Sequence, residues 1–297
     1  MTGILSIISI PLGYVMEFIY RMTGNYGLVL ILLTVFVRIC LLPLGIKQQK
    51  SMVETQKIQP KLQELQRKYK DDKEKLNQET MKLYQEHNVS PMAGCLPLLI
   101  QMPILFGLIQ VIYHPITYMS KLFPEGLEKI KELYPLAESG RSAYEEIALA
   151  NATGRVNFNF LGIDLSKIPA SNKTEILVWI LPILATVATY FSGQISQKMS
   201  GNQNASADNP AAGSMKMMNW MMPLMTIFFT YRMPGGAALY WFMSTFVSLI
   251  QSVVLMKIYR KDPLPAEGSI VEEKPVKKEN PYKKKKKNKT EKNKRDL

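Results

Sequence analysis

Between Tyr26 and Leu44 the chain reads YGLVLILLTVFVRICLLPL, apolar enough to cross a bilayer yet carrying one arginine, Arg38. At about 1.5 Å per residue, Arg38 lies roughly 15 Å beyond Leu28 in a hydrocarbon layer about 30 Å thick, which is mid-membrane. A guanidinium stays charged at any ordinary pH and costs about 2.5 to 3.5 kcal/mol at the centre of an inserted helix. Roughly a dozen Leu, Ile, Val and Phe neighbours return about 0.3 to 0.6 kcal/mol each, so the segment still inserts. The charge can snorkel along its helix or pair with a structural acid. No Asp or Glu stands inside the other apolar spans, and that absence favours water. Arg38 is therefore expected to face a hydrated cavity within a helical bundle.

Further apolar runs near residues 91–113, 175–193, 217–232 and 236–258 predict an all-α polytopic membrane protein with five transmembrane helices. Period-two alternation is missing, which argues against a β-barrel. The expected division is a first span at 24–45, a charged helical hairpin at 46–90, a second span at 91–113 and a long loop at 114–173. It continues with a third span at 174–195, a mobile loop at 196–216, spans four and five at 217–232 and 236–258, and a basic tail at 259–297. Residues 1–23 are expected to form an amphipathic helix in the membrane interface. Pro11 would break a span there, and neither a preceding basic residue nor a small-residue cleavage site marks a signal sequence. Its apolar stripe is Leu12, Val15, Met16 and Ile19, with Glu17 and Arg21 off it.

In the hairpin, Ile58, Leu62, Leu65 and Tyr69 recur at helical spacing and Leu76 and Leu83 continue the stripe. Asp71 or Asp72 is placed to cap the second helix, and Pro60 suggests a start or kink. Gln101 of the second span needs a polar partner in hydrocarbon. The long loop carries one expected helix near 125–138, and His114 stands alone in it. Span four, Met217 to Tyr231, reaches only about 23 Å, which predicts local bilayer thinning. Met233-Pro234-Gly235-Gly236 leaves room only for a tight hairpin. If the hairpin, the mobile loop and the tail share a side, it holds 27 of the 37 Lys and Arg residues against nine opposite. That side is expected to be cytosolic, with the N-terminus outside.

Four features bear on function. Thr34 lies one turn before Arg38, and a positive hydrated pocket half-way across a membrane attracts carboxylates or phosphates. A methionine cluster, Met215, Met217, Met218, Met221, Met222 and Met225, suits either lipid contact or adaptable apolar binding. The tail run Lys283, Lys284, Lys285, Lys286 and Lys287 is expected to bind polyanions, either anionic lipids or ribosomal RNA. Fourth, the catalytic signatures are missing: no phosphate-cradling Gly-rich loop, no zinc-protease helix, and no base for Ser244 or Ser248. Cys40 and Cys95 have no metal-ligand spacing. The expectation is a protein that is no enzyme and has no cofactor or metal. Three readings stand: an insertase for other polypeptides, a small-anion transporter, or a membrane scaffold that recruits ribosomes through the tail. A transporter would be expected to show an internal repeat, which the five unequal spans do not.

The order of Arg38 in the first span, the hairpin sequence from Lys57 to Pro103, and MMPLMTIFFTYRMPGGAALYWFMSTF from Met221 to Phe246 resembles the YidC/Oxa/Alb membrane protein insertases. The resemblance covers about Tyr26 to Arg260 and, without a large periplasmic domain, implies a compact form of that family. It implies five helices around a hydrophilic groove in a bacterial plasma membrane, closed to the outside and open to the cytosol and to lipid. Arg38 would be the groove arginine, with Thr34, Gln101, Tyr240 and Trp241 lining the groove. Nascent membrane proteins would be the clients, and a secretion channel, the ribosome and anionic lipids the further partners. Arg232 departs from the family's apolar or aromatic residue before the turn.

Overall fold

The computed structural model describes residues 2–87, 96–135, 144–199 and 210–259. The lysine run of the tail, Cys95 and residues 200–209 of the expected mobile loop lie outside the described residues, as do the side chains of Met215, Met217 and Met218.

Helix α1 (Thr2–Thr23) runs unbroken through Pro11. Its exposed face carries Ile7, Tyr14, Phe18 and Met22, whereas Ser9, Met16, Glu17 and Tyr20 are buried. The expected stripe of Leu12, Val15, Met16 and Ile19 packs into the core with Tyr20, and the opposite face is apolar as well, so α1 is apolar on both sides, as suits a helix between protein and lipid. The expected position of Glu17 off the apolar face is thus corrected: it turns into the protein. Leu5–Thr23 is long and apolar enough to cross a membrane. Gly24, at φ +62°, ends the helix and donates its N–H to Tyr20 O at 2.7 Å, a left-handed cap that suits glycine. Asn25 then opens α2 (Tyr26–Cys40) by accepting from the Leu28 N–H.

The chain bends by 58° at Leu41, where α3 (Leu42–Lys68) starts with Pro43 in its first turn. The straight part of the first span therefore ends at residue 40 and not at 45. Pro60 sits inside α3 and does not interrupt it, so the helix neither starts nor stops there. Asp72 caps α4 (Lys73–Glu86), its carboxylate accepting from the Lys75 N–H at 3.0 Å. Ile58, Leu62 and Leu83 form the small hairpin core, flanked by Leu65 and Tyr84, as the helical spacing predicts.

Beyond α5 (Leu96–Tyr113), the segment expected to be a loop with one helix holds more structure. It contains α6 (Pro115–Tyr118), α7 (Gly126–Leu133), α8 (Glu145–Ala152) and a two-stranded hairpin, β1 (Asn159–Phe160) with β2 (Ile163–Asp164). The expected helix near 125–138 is shorter, because α7 closes at Leu133. Three long helices complete the bundle: α9 (Ile176–Met199), α10 (Pro210–Arg232) and α11 (Gly235–Tyr259). Ile176–Ser196 and Gly235–Leu255 are each long and apolar enough to span, and α2 with the first part of α3 makes a bent fourth candidate. Helix α10 extends seven residues before the expected start of span four.

Side by side, α5 packs on α1, α1 on α2, α2 on α11, α11 on α9 and α9 on α10. Although only Met233 and Pro234 separate α10 from α11, the two splay around α9. Thr226 of α10 approaches Thr189 of α9, oxygen to oxygen, at 3.4 Å, and Trp179 stacks near Tyr231. Exposed Ile180, Ile183 and Val187 on α9, with Leu224 and Phe228 on α10, continue the apolar outer surface. The turn is fastened from outside the bundle: the Gly235 and Gly236 N–H groups donate to Lys167 O and Leu165 O, both at 2.9 Å, and Ala170 N–H donates to Tyr231 O. Arg232 lies over the Phe228 ring, 4.9 Å from its centroid, which accommodates a charge one turn along its own helix.

Candidate functional site

Helices α2 and α11 start at one level, because Gly236 abuts Tyr26 and Leu30. Counting from there, Arg38 is about 18 Å along α2 and Ser244 about 12 Å along α11. Helical side chains lean toward the N-terminus, so the arginine reaches back over that difference. Its Nη2 donates to Ser244 O at 2.9 Å and to Ser244 Oγ at 2.7 Å. Tyr240, one turn earlier on α11 and buried, places its hydroxyl near both Ser244 and the guanidinium.

Arg38 is half-buried and has no carboxylate partner among the described residues. A guanidinium offers five N–H donors, and Ser244 satisfies only those of Nη2. The other nitrogens are not among the buried unpartnered atoms, so they keep some exposed surface. Glu17, the carboxylate buried within apolar α1, has an unpartnered oxygen of its own and does not pair with Arg38.

The remaining expected site residues divide. Thr34 is buried and its hydroxyl donates to Leu30 O at 2.6 Å, so its proton is directed into its own helix. Tyr26 of α2 donates to Ile112 O of α5 at 2.7 Å, which fixes the two helices in register. Gln101, eleven residues before Ile112, lies about 16 Å below that bond and so close to the depth of Arg38. No hydrogen bond joins Gln101 to Arg38 or Thr34. Trp241 is half-buried next to Tyr240. The structure thus gathers Arg38 and Tyr240 around Ser244, sets Gln101 in the same layer, and leaves Thr34 self-satisfied.

Ser244 is the residue that sequence reasoning missed as a partner. The signal was present: Tyr240, Ser244, Ser248 and Gln251 recur at helical spacing along one side of an otherwise apolar helix. His114, expected to be alone, is also corrected. Its Nδ1 lies 2.9 Å from Glu146 Oε1, and the buried Glu146 also accepts from the Thr117 N–H and hydroxyl, each at 2.9 Å. On the surface nearby, Arg155 grips Glu125 through both carboxylate oxygens, which holds the Glu125 carboxyl down at about 2. Among the described residues no cluster of His, Cys, Asp or Glu could hold a metal ion.

Residues 18–262 match the model of the 60Kd inner membrane protein family. The chain is 32% identical over 246 residues to a membrane protein insertase YidC of Fusobacterium nucleatum, covering 83% of this chain and 93% of that relative. It is 34% identical over 250 residues to the membrane protein insertase MisCA of Bacillus subtilis, covering 82% of this chain and 76% of the relative. A YidC of Treponema denticola is 31% identical over 260 residues, which are 88% of this chain and 39% of that longer protein.

Proposed function

This chain belongs to the YidC/Oxa/Alb family of membrane protein insertases, and on that premise we propose that it inserts membrane proteins by giving their polar flanks a cationic resting place half-way through the bilayer. The observation that carries the reading is the Arg38 guanidinium, anchored on Ser244 in the middle of an apolar bundle with no acid to neutralise it among the described residues. A carboxylate or a backbone carbonyl arriving at that depth meets donors that hydrocarbon cannot offer. Tyr240, Trp241 and Gln101 line the groove around it, with Thr34 packed one turn behind the arginine.

No nucleotide drives the step. Transfer of the client's own span releases about 25 cal/mol per Å², of order 10 kcal/mol for several hundred Å² of apolar surface. The protein lowers the barrier for the polar flank, and the client leaves sideways along α9 and α11 into lipid. The α3–α4 hairpin faces the cytosol and receives the client, while the N-terminus lies outside. The Lys283 to Lys287 run contacts the ribosome or anionic headgroups, and a secretion channel is a further partner. A photo-crosslinker at Thr34 or Trp241 tests this. Capture of nascent membrane proteins supports the reading, and capture of lipid alone refutes it.

A further inference from the structure

Beyond the bend at Leu41, α3 and α11 stay in contact, and the polar side of α11 continues past Ser244 to Gln251, two turns on. Opposite Gln251 stands Gly45 of α3, and a Cβ there would run into the Gln251 amide nitrogen. Glycine is what lets this amide lie against the α3 backbone. One turn further along α3 on the same face is Gln49, 7% exposed, whose Nε2 is buried without a hydrogen-bond partner. A buried amide donor left unmatched is costly, on the order of 1 to 3 kcal/mol, and such groups in native proteins call for an explanation.

We infer that Gln49 and Gln251 form a second polar station at the base of the hairpin, on the way to Arg38, which donates hydrogen bonds to carbonyl oxygens of the incoming polypeptide. The inference rests on the insertase reading. Gln49 follows Arg38 by eleven residues along the chain leading to the hairpin, so a client arriving from that side meets it first. The station is neutral and donates hydrogen bonds, so it suits any backbone carbonyl, whereas Arg38 favours carboxylates. It would hold long polar flanks, which span both stations. Short flanks reach Arg38 without it.

The test uses the full chain in liposomes, with one client made in a long-flank and a short-flank form, and photo-crosslinkers placed separately at Gln49 and Thr34. Capture of the client's polar flank at Gln49 is expected. Gln49→Leu should slow the long-flank client about threefold to tenfold, the loss of one neutral hydrogen bond, and leave the short-flank client nearly unchanged. Gln49→Glu, which keeps the shape but presents an acceptor, should slow it at least as much. Recovery of the normal rate with Gln49→Glu, equal slowing of both clients, or capture of lipid alone at Gln49 would each overturn the inference. Capture at Thr34 but not at Gln49 defeats this station alone, whereas capture at neither defeats the insertase reading itself.

Discussion

Replacing Arg38 with alanine removes the charge and both bonds to Ser244. A client carboxylate about 4 Å from the guanidinium at an effective dielectric of about 20 gains roughly 4 kcal/mol. Because Arg38 is only half-buried, solvent screening brings this to about 2 kcal/mol, or about thirtyfold in rate. The assay is insertion of a single-span client into liposomes, with an acidic or a neutral polar flank on otherwise identical spans. Arg38→Ala should slow the acidic-flank client about thirtyfold and the neutral one less than about threefold. Arg38→Lys should fall between wild type and Ala, since it keeps the charge but loses the guanidinium nitrogens beyond Nη2, which Ser244 leaves free to meet a client. Equal slowing of both clients by Arg38→Ala would refute the electrostatic argument and leave Arg38 a packing residue.

Three further outcomes follow from the fold. Gly45→Val should lower the thermal midpoint in detergent only slightly, by less than about 1 kcal/mol, because the Gln251 amide at the end of a flexible side chain can swing aside, and adding Gln251→Ala should remove that loss. Glu146→Ala leaves His114, Thr117 N–H and the Thr117 hydroxyl without their acceptor, so limited proteolysis should cut the 114–173 segment faster while the α3–α4 hairpin is cut at the same rate. Arg155 depresses the Glu125 carboxyl to about 2, below its value in the unfolded chain. The stabilisation is therefore complete above the ordinary carboxylate range and fades as pH falls toward 2. Glu125→Gln should flatten that part of the acid-unfolding curve measured by circular dichroism.

What could be read from the sequence was local. The hairpin stripe of Ile58, Leu62 and Leu83, the Asp72 cap and the tight turn before Gly235 each depend on spacings within a few turns, and all appear in the structure. The cationic residue in an apolar run was equally plain, because its cost is set by its own surroundings. Its partner was not, since Ser244 lies 206 residues away and only the parallel start of α2 and α11 brings the two to one depth. His114 looked solitary for the same reason, with Glu146 being 32 residues on. Pro11 was expected to break a span and Pro60 to mark a start or kink, yet each lies inside a continuous helix, because a proline removes only one backbone bond and the rest of the helix carries on through it. Glu17 misled because amphipathic reasoning assumes water on the far side of the stripe, whereas α1 is apolar on both faces and Glu17 is buried beside Met16.

A client's polar flank can rest at Arg38 only if water reaches that depth, and cysteine labelling measures this directly. In a background of Cys40→Ser and Cys95→Ser, Arg38→Cys and Ile39→Cys are compared with a charged, membrane-impermeant thiol reagent added on the hairpin side. Ile39 is a fair control, being 63% exposed on the outer surface that lipid would cover. Fast labelling at position 38 and little at position 39 are expected. A position 38 that is inert while a site in the hairpin labels readily would contradict this reading.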